Sequence, residues 1–323
     1  VSTAIRHSFR HKAVFYEGID GFMASMLPFV RDGVAAREPV MVAVDEEKIA
    51  LLRQGLGEDA AGVRFVEMRG LGKNPGCIIP AWREFVAENA GDGRRARGIG
   101  EPIWAGRTPV EISECHQHEA LLNVAFDDGP AWSLVCPYDA AALPAEVVEA
   151  ARRTHPIVGE HGVTRRSVEY SDPRIDPLGG ELAPPPARRE EMSFTLDDLG
   201  TLRNLVQAWA QVAGLGRERA ADLVLAVNEL ASNSIRHGGG TGTARSWREP
   251  GAFVCEIRDR GRIHDPLAGR GVPDHARMGG RGLWLVNQLC DLVQLRSLRD
   301  GCAVRLHMAL DPDRAAALSG SYS

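Results

Sequence analysis

The sequence has no apolar run approaching the roughly 20 residues that a helix needs to cross a bilayer, so no membrane-spanning helix and no membrane partner are expected. Its six cysteines (Cys77, Cys115, Cys136, Cys255, Cys290 and Cys302) form no C-x-x-C pair and no disulfide-like spacing. Reduced thiols in a cytoplasmic protein are the expectation. Residues 1–12 are polar and lack a signal-peptide core, in line with that location. Positive charge is not in excess. The formal net charge is -5, which gives no reason to expect direct nucleic-acid binding. Internal repeats, coiled-coil heptads and the Gly-Lys-Ser/Thr of a phosphate-binding P-loop are also missing; Gly72-Lys73-Asn74-Pro75 reads only as a turn.

What is present fits an ordinary globular protein: 44% hydrophobic and 25% charged residues. At 323 residues, two domains are the default expectation. Residues 171–192 carry Pro173, Pro177, Pro184, Pro185 and Pro186 without sustained periodicity, as a semi-extended linker would. The expected domains are therefore 8–170 and 193–311. In the first, strand patterns at 39–44, 63–68, 96–104 and 132–136 alternate with helical patterns at 19–36, 46–55, 80–90, 113–126 and 144–154. Several of the strands are near-continuous apolar runs, which predicts an α/β sandwich with a mostly parallel sheet. In the second, helices at 197–213 and 217–236 precede strands at 242–248 and 252–259, a helix at 280–290 and strands at 292–298 and 302–309. That order predicts an α+β layer sandwich, one antiparallel sheet with helices on one face.

Three short patterns in the second domain carry chemistry. Glu229 and Asn233 are four apart on a helix, so both side chains share a face. An asparagine oxygen suits magnesium, and a neighbouring carboxylate can take a proton from an attacking hydroxyl. The alternative is a polar solvated helix face. Asp259 ends an apolar strand and runs into Arg260-Gly261; a carboxylate there can accept from an exocyclic amine, while Gly261 lets backbone approach a flat ring. Asp-x-Gly is also a common turn. Gly279-Gly280-Arg281-Gly282 opens the helical Leu283-Trp284-Leu285, and glycines at a helix start offer free N–H groups to phosphate. The preceding loop is rich in Gly, Pro, Asp and Arg and long enough to be a lid.

In this order, residues 193–311 resemble the GHKL (Bergerat-fold) ATPase family, in the branch of anti-sigma-factor serine kinases. Glu229, Asn233 and His237 match its first box, Asp259 and Gly261 its second, and Gly279, Gly280, Gly282 and Leu283 its third, with Arg281 inside it. The resemblance implies ATP and Mg2+ as cofactors, Glu229 as catalytic base, Asn233 as magnesium ligand, Asp259 as adenine reader and 262–281 as lid. The stretch Arg262-Ile263-His264-Asp265-Pro266 departs from the family's glycine-rich continuation. A homodimer through this domain is expected from the resemblance; the apolar face Leu199, Leu202, Leu205, Val206, Trp209 and Val212 serves that or an internal core.

The first domain resembles the MEDS sensory domain over about residues 8–160. His11 with Phe15-Tyr16, Gly100-Glu101-Pro102-Ile103-Trp104, Glu119 to Asn123, Cys136-Pro137-Tyr138-Asp139 and His155-Pro156 carry the resemblance. His11, Glu101, Glu119, Tyr138 and Asp139 lie at the ends of apolar segments. They would converge on a sensory pocket at the carboxyl ends of parallel strands, or form buried structural pairs. Cys115, His116 and His118 with Cys136 invite a metal reading, although neighbours 115 and 116 do not share a helix face. His118-Glu119 resembles a phosphoacceptor histidine followed by an acid, but no long helical hairpin adjoins the ATPase-like region. The function implied is an anti-sigma factor that phosphorylates a serine of an anti-anti-sigma, STAS-type partner, or binds the sigma factor, under control of the sensory domain. The alternative is a protein of the same fold that sequesters a partner without turnover.

Overall fold

The computed structural model describes residues 9–90, 94–160, 162–172, 178–271 and 281–310. The chain divides into two compact units, Val1–Pro177 and Leu178–Ser323.

The first unit is built on β1 (Phe9–Tyr16), α1 (Gly18–Ala35), β2 (Val40–Val44), α2 (Glu46–Leu56), β3 (Val63–Glu67) and a one-turn α3 (Met68–Leu71). There follow α4 (Ile78–Asn89), β4 (Ala96–Gly100), α5 (Pro109–Ala125), β5 (Trp132–Asp139), α6 (Ala145–Thr154), β6 (Ile157–Glu160) and β7 (Val163–Arg166). Among the described residues the strands form one sheet in the order β3-β2-β4-β5-β1-β6-β7. Every pairing is parallel except the edge hairpin β6–β7. The all-apolar β2 is buried along its whole length, as a strand covered on both faces must be. One face packs Val42, Val44, Ile99 and Val135 against α1 and α2. The other carries Trp82 of α4 against Trp132, ring centroids 5.6 Å apart. Helix starts are fixed locally. Asp45 accepts from the Lys48 N–H at the head of α2, and Thr108 with Glu111 closes a capping box before Pro109 of α5.

The second unit runs β8 (Glu190–Phe194), α7 (Leu199–Val212), α8 (Arg217–His237), β9 (Gly242–Glu249), β10 (Ala252–Asp259), α9 (Arg281–Leu289), β11 (Leu292–Leu298) and β12 (Gly301–Ala309). Its sheet is antiparallel throughout, in the order β11-β12-β10-β9-β8. Phe253, Cys255, Ile257, Leu306 and Met308 share one core with Leu202 and Val206 of α7, Leu223 and Val227 of α8 and Val286 of α9. The helices thus lie on one face, the α+β sandwich expected. The apolar side of α7 is spent on this core, while Val212 stays 77% exposed. Residues before β8 take part as well: Leu178 and Leu182 are buried, and the Ala183 carbonyl accepts from Arg305.

The opposite face of this sheet is charged. Fully buried Glu256 on β10 meets Arg305 Nε at 2.6 Å, Arg258 Nε at 3.1 Å and Arg245 Nη1 at 3.4 Å. A carboxylate so placed holds three guanidinium groups in register across adjacent strands, and removing it leaves them repelling one another. Glu256→Ala should lower stability by about 3 kcal/mol, read as a fall in the denaturation midpoint of the second unit.

Candidate functional site

In the second unit the first two sequence patterns are brought together by one carboxylate. Asp259, at the end of β10, accepts the Ser234 hydroxyl on Oδ2 at 2.6 Å and the Gly261 N–H on Oδ1 at 2.7 Å. Ser234 is fully buried on α8, so this contact ties the helix's last turns to the strand end. Gly238, where α8 stops, makes the approach feasible: a Cβ there would lie 2.4 Å from Asp259 Cγ and 2.7 Å from its Cβ. The backbone N–H of Arg260 then donates to the Gly238 carbonyl at 3.2 Å.

The third pattern meets the first at the start of α9. A Cβ on Gly282 would stand 2.9 Å from Glu229 Oε2 and 3.3 Å from Asn233 Nδ2. Glu229 and Asn233 therefore face the N-terminus of α9 together, as their four-residue spacing predicts. That end of the helix carries the positive end of its dipole. Asn233 Oδ1 accepts from Arg236 Nη2 at 3.2 Å, so a cation already stands at this oxygen. His237 is exposed on the last turn of α8, and its carbonyl lies against Gly261. Arg281 and Leu283 flank Gly282; Leu283 also packs under Gly269, and Asn287 Nδ2 donates to the Gly269 carbonyl at 3.1 Å. Gly279 and Gly280 lie outside the described residues, as does most of the second half of the expected lid. Ser234, Gly238 and Asn287 belong to this constellation and were not singled out from sequence. The one available signal was position: Gly238 directly ends the helical pattern that carries Glu229 and Asn233.

A nucleotide with magnesium fits these residues on the structure's own terms. Glycine at 282 leaves room beside Glu229 and Asn233 that a side chain would fill. Asp259 is held rigid by two donors, with lone pairs to spare for an exocyclic amine.

In the first unit the five expected pocket residues fall into two groups. Glu101 accepts from Tyr16 Oη at 2.6 Å and from Lys48 Nζ at 2.7 Å, beyond the carboxyl ends of the strands. Burial raises the Glu101 carboxyl above its ordinary range, against the pull of Lys48. Asp139 ends β5 beside Tyr16 and accepts from the Gly18 and Ala141 N–H groups. His11 sits five residues earlier than Tyr16 on β1, roughly 16 Å along the strand. There it meets Glu119, Cys136 and His155, with the Tyr138 ring 5.7 Å from that of His155. Tyr138 and Asp139 are neighbours on a strand and so point to opposite faces.

All of this second group is buried. Burial, with His155 adding repulsion, brings the His11 imidazole down to about 4. Burial pushes the Cys136 thiol well up. Cys115 is not part of the group; its thiol donates to the Pro102 carbonyl at 3.4 Å. His118 is 1% exposed and Glu119 fully buried, which removes the phosphoacceptor reading of that pair.

Residues 10–156 match the family described as the methanogen/methylotroph DcmR sensory domain, MEDS. Residues 192–308 match the histidine kinase-like ATPase domain. No curated protein is a match. Among solved structures, a crystal structure of the RsbU and RsbW domains of a Mycobacterium tuberculosis protein is similar at 17% identity with a TM-score of 0.30, over 39% of this chain and 32% of that one. No helix among the described residues is long and apolar enough to cross a membrane. The chain therefore joins a MEDS domain over residues 10–156 to a histidine kinase-like ATPase domain over residues 192–308.

Proposed function

We propose that the second unit binds Mg-ATP and transfers its γ-phosphate to a serine hydroxyl of an anti-anti-sigma, STAS-type partner, so that the protein acts as an anti-sigma factor. The observation that carries the ATP site is the meeting of Glu229, Asn233 and Gly282 at the head of α9, with Asp259 locked at the end of β10. Asp259 would read the adenine amine through its free lone pairs. Asn233 would offer its oxygen to magnesium once Arg236 swings away. The α9 N–H groups, together with Arg281, would hold phosphate. Magnesium supplies charge neutralisation on the phosphates, and most of what remains for the protein is positioning. Glu229 would take the proton of the incoming hydroxyl. The serine-kinase branch and the identity of the partner rest on the resemblance of the three motifs. The sensory unit would bias phosphate transfer or partner exchange through a free energy of coupling.

A second reading has one observation in its favour. Arg236 occupies the Asn233 oxygen, so a guanidinium stands where a metal would be required. A protein in which that contact persists would sequester its partner without turnover.

Calorimetric titration of the full chain with Mg-ATP separates the two readings. Binding in the wild type should weaken about tenfold or more in Asp259→Ala and in Asn233→Ala, the loss of a charge-assisted hydrogen bond or a metal ligand. No binding at millimolar nucleotide would discard the kinase and leave sequestration. With a STAS-domain substrate and labelled ATP, Glu229→Ala should slow serine phosphorylation by roughly 10²–10⁴-fold while nucleotide binding persists. Transfer at the wild-type rate would remove Glu229 as the base.

A further inference from the structure

Four side chains from distant parts of the first unit converge in its interior: His11 on β1, Glu119 on α5, Cys136 on β5 and His155 at the junction of α6 and β6. Their donor atoms all lie within 4.8 Å of one another. His11 Nε2 is 3.0 Å from Glu119 Oε2, Cys136 Sγ is 3.4 Å from each of these, and His155 Nε2 is 3.3 Å from the same carboxylate oxygen. Zinc bonds of about 2.0 to 2.3 Å set the edges of a tetrahedron at roughly 3.3 to 3.8 Å. The four separations of 3.0 to 3.4 Å are close to that, and the remaining pairs lie within 4.8 Å.

The hydrogen bonds around the cluster decide which way its lone pairs point. Asn123 Nδ2 donates to the carbonyls of Thr154, Glu119 and Ala120, which leaves Asn123 Oδ1 facing His11 Nδ1 at 3.1 Å. His11 must therefore carry its proton on Nδ1. His155 Nδ1 lies 2.8 Å from the Ala151 carbonyl and 3.0 Å from Thr154 Oγ1, whose own proton goes to the helix carbonyls. His155 carries its proton on Nδ1 too. Both rings consequently turn a bare Nε2 toward one buried carboxylate.

Acceptors facing acceptors in a dry interior are unfavourable unless something positive lies between them. Glu119 Oε1 and His155 Nε2 have no hydrogen-bond partner among the described residues, although both side chains are fully buried. Protonating one imidazole would neutralise the carboxylate but leave the other bare Nε2 against it, and protonating both would leave a net charge of about +1 buried beside a neutral thiol, which is costly. A divalent ion answers it without residue: two neutral imidazoles, one carboxylate and one thiolate sum to zero with a 2+ metal. The backbone and amide acceptors on each Nδ1–H are the outer contacts that orient histidine ligands.

We propose that the first unit holds a divalent transition metal, zinc by its ligand set, bound tetrahedrally by His11 Nε2, His155 Nε2, a Glu119 carboxylate oxygen and the Cys136 thiolate. Nitrogen, oxygen and sulfur donors in a tetrahedron suit zinc better than magnesium or calcium, which take oxygen ligands in higher number. On binding, the metal–sulfur bond forms as the Cys136 thiol releases its proton to solvent. Four protein ligands close the coordination sphere, so the centre is of the structural kind, with no position held open for a substrate.

The test uses the full chain, stripped with chelator under reducing conditions and reloaded with Zn2+ or Co2+. About one equivalent of metal should be retained after desalting, as measured by elemental mass spectrometry. The Co2+ form should show intense tetrahedral d–d bands and a sulfur-to-cobalt charge-transfer band. Cys136→Ser should lose the charge-transfer band, while Cys115→Ser, a buried thiol outside the cluster, should keep it. If Cys136→Ser fails to fold, the wild-type cobalt spectrum decides by the presence or absence of the sulfur band. Retention of no metal, metal bound without that band, or a band that survives Cys136→Ser would each overturn the proposal.

Discussion

Asp259 is the contact on which the geometry of the second unit turns. Its two oxygens are satisfied by groups from different elements, the Ser234 hydroxyl on α8 and the Gly261 N–H beyond the strand. A long helix is thereby pinned to a sheet end near its own C-terminus. Glu229 and Asn233 lie earlier on the same helix, on a face turned away from Ser234, so the pin sets their position relative to α9. Removing Ser234's hydroxyl would leave a half-buried carboxylate oxygen without its partner, a cost comparable to a whole hydrogen bond and more. The site is thus assembled by satisfying a structural acceptor, and the groups suited to chemistry follow from that placement.

Glu256 and Glu119, both fully buried, show opposite solutions to one problem. Glu256 is surrounded by arginines, so its charge is met by donors supplied from neighbouring strands. Glu119 is surrounded by two imidazoles whose protons are already committed to carbonyl acceptors, and by a thiol. The first arrangement is complete within the protein. In the second, the groups within 3.4 Å of the carboxylate oxygen Oε2 are two bare ring nitrogens and a weak thiol donor, and a cation complements them. Burial is the same in both cases; the direction of the N–H bonds distinguishes them.

Much of this architecture was legible in the sequence, and the exceptions share a cause. The apolar runs of β2 and β5, the helices α4 to α8 and the hairpin β9–β10 follow from periodicity and fall where it predicts. β1 reads FRHKAVFY, with Arg10 and Lys12 interrupting an apolar pattern, yet it is an interior strand of the sheet, between β5 and β6. Its place is set by pairing partners 100 residues or more away, to which local pattern is blind. The short β6, β7 and β8 escape for the same reason, β6 being only four residues and β7 and β8 largely polar, all defined by their neighbours. The strand expected at 96–104 stops at Gly100, because Glu101 turns to Tyr16 and Lys48. Of the site, Glu229, Asn233 and Asp259 were visible because helix spacing and a strand end carry a local signature. Ser234 and Gly238 were not, since their role exists only once Asp259 is brought across. Polar residues at segment ends look alike in sequence, so pocket and buried pairs are equally compatible with it; only the strand register separates His11 from Tyr16.

Sequence separation also distinguishes how the two sites relate to folding. The candidate nucleotide site draws its described residues from 229 to 287, within one helix, one strand end and the next helix, all anchored by a shared hydrophobic core. That core is built of apolar residues and does not include the site's polar side chains. The four-residue cluster of the first unit runs from position 11 to position 155, almost the whole unit, and joins two parallel strands, a covering helix and the α6–β6 junction. A cross-link over so long a loop removes more conformational freedom from the unfolded chain than a local one, although the gain rises only slowly with length. An ion bound there would also be bound by the folded state alone, since the unfolded chain does not bring the four donors together. Its affinity would then appear as folding free energy of the first unit. Nucleotide at the second site would act instead on a domain already formed, where its affinity can shift partner exchange without deciding whether the fold exists.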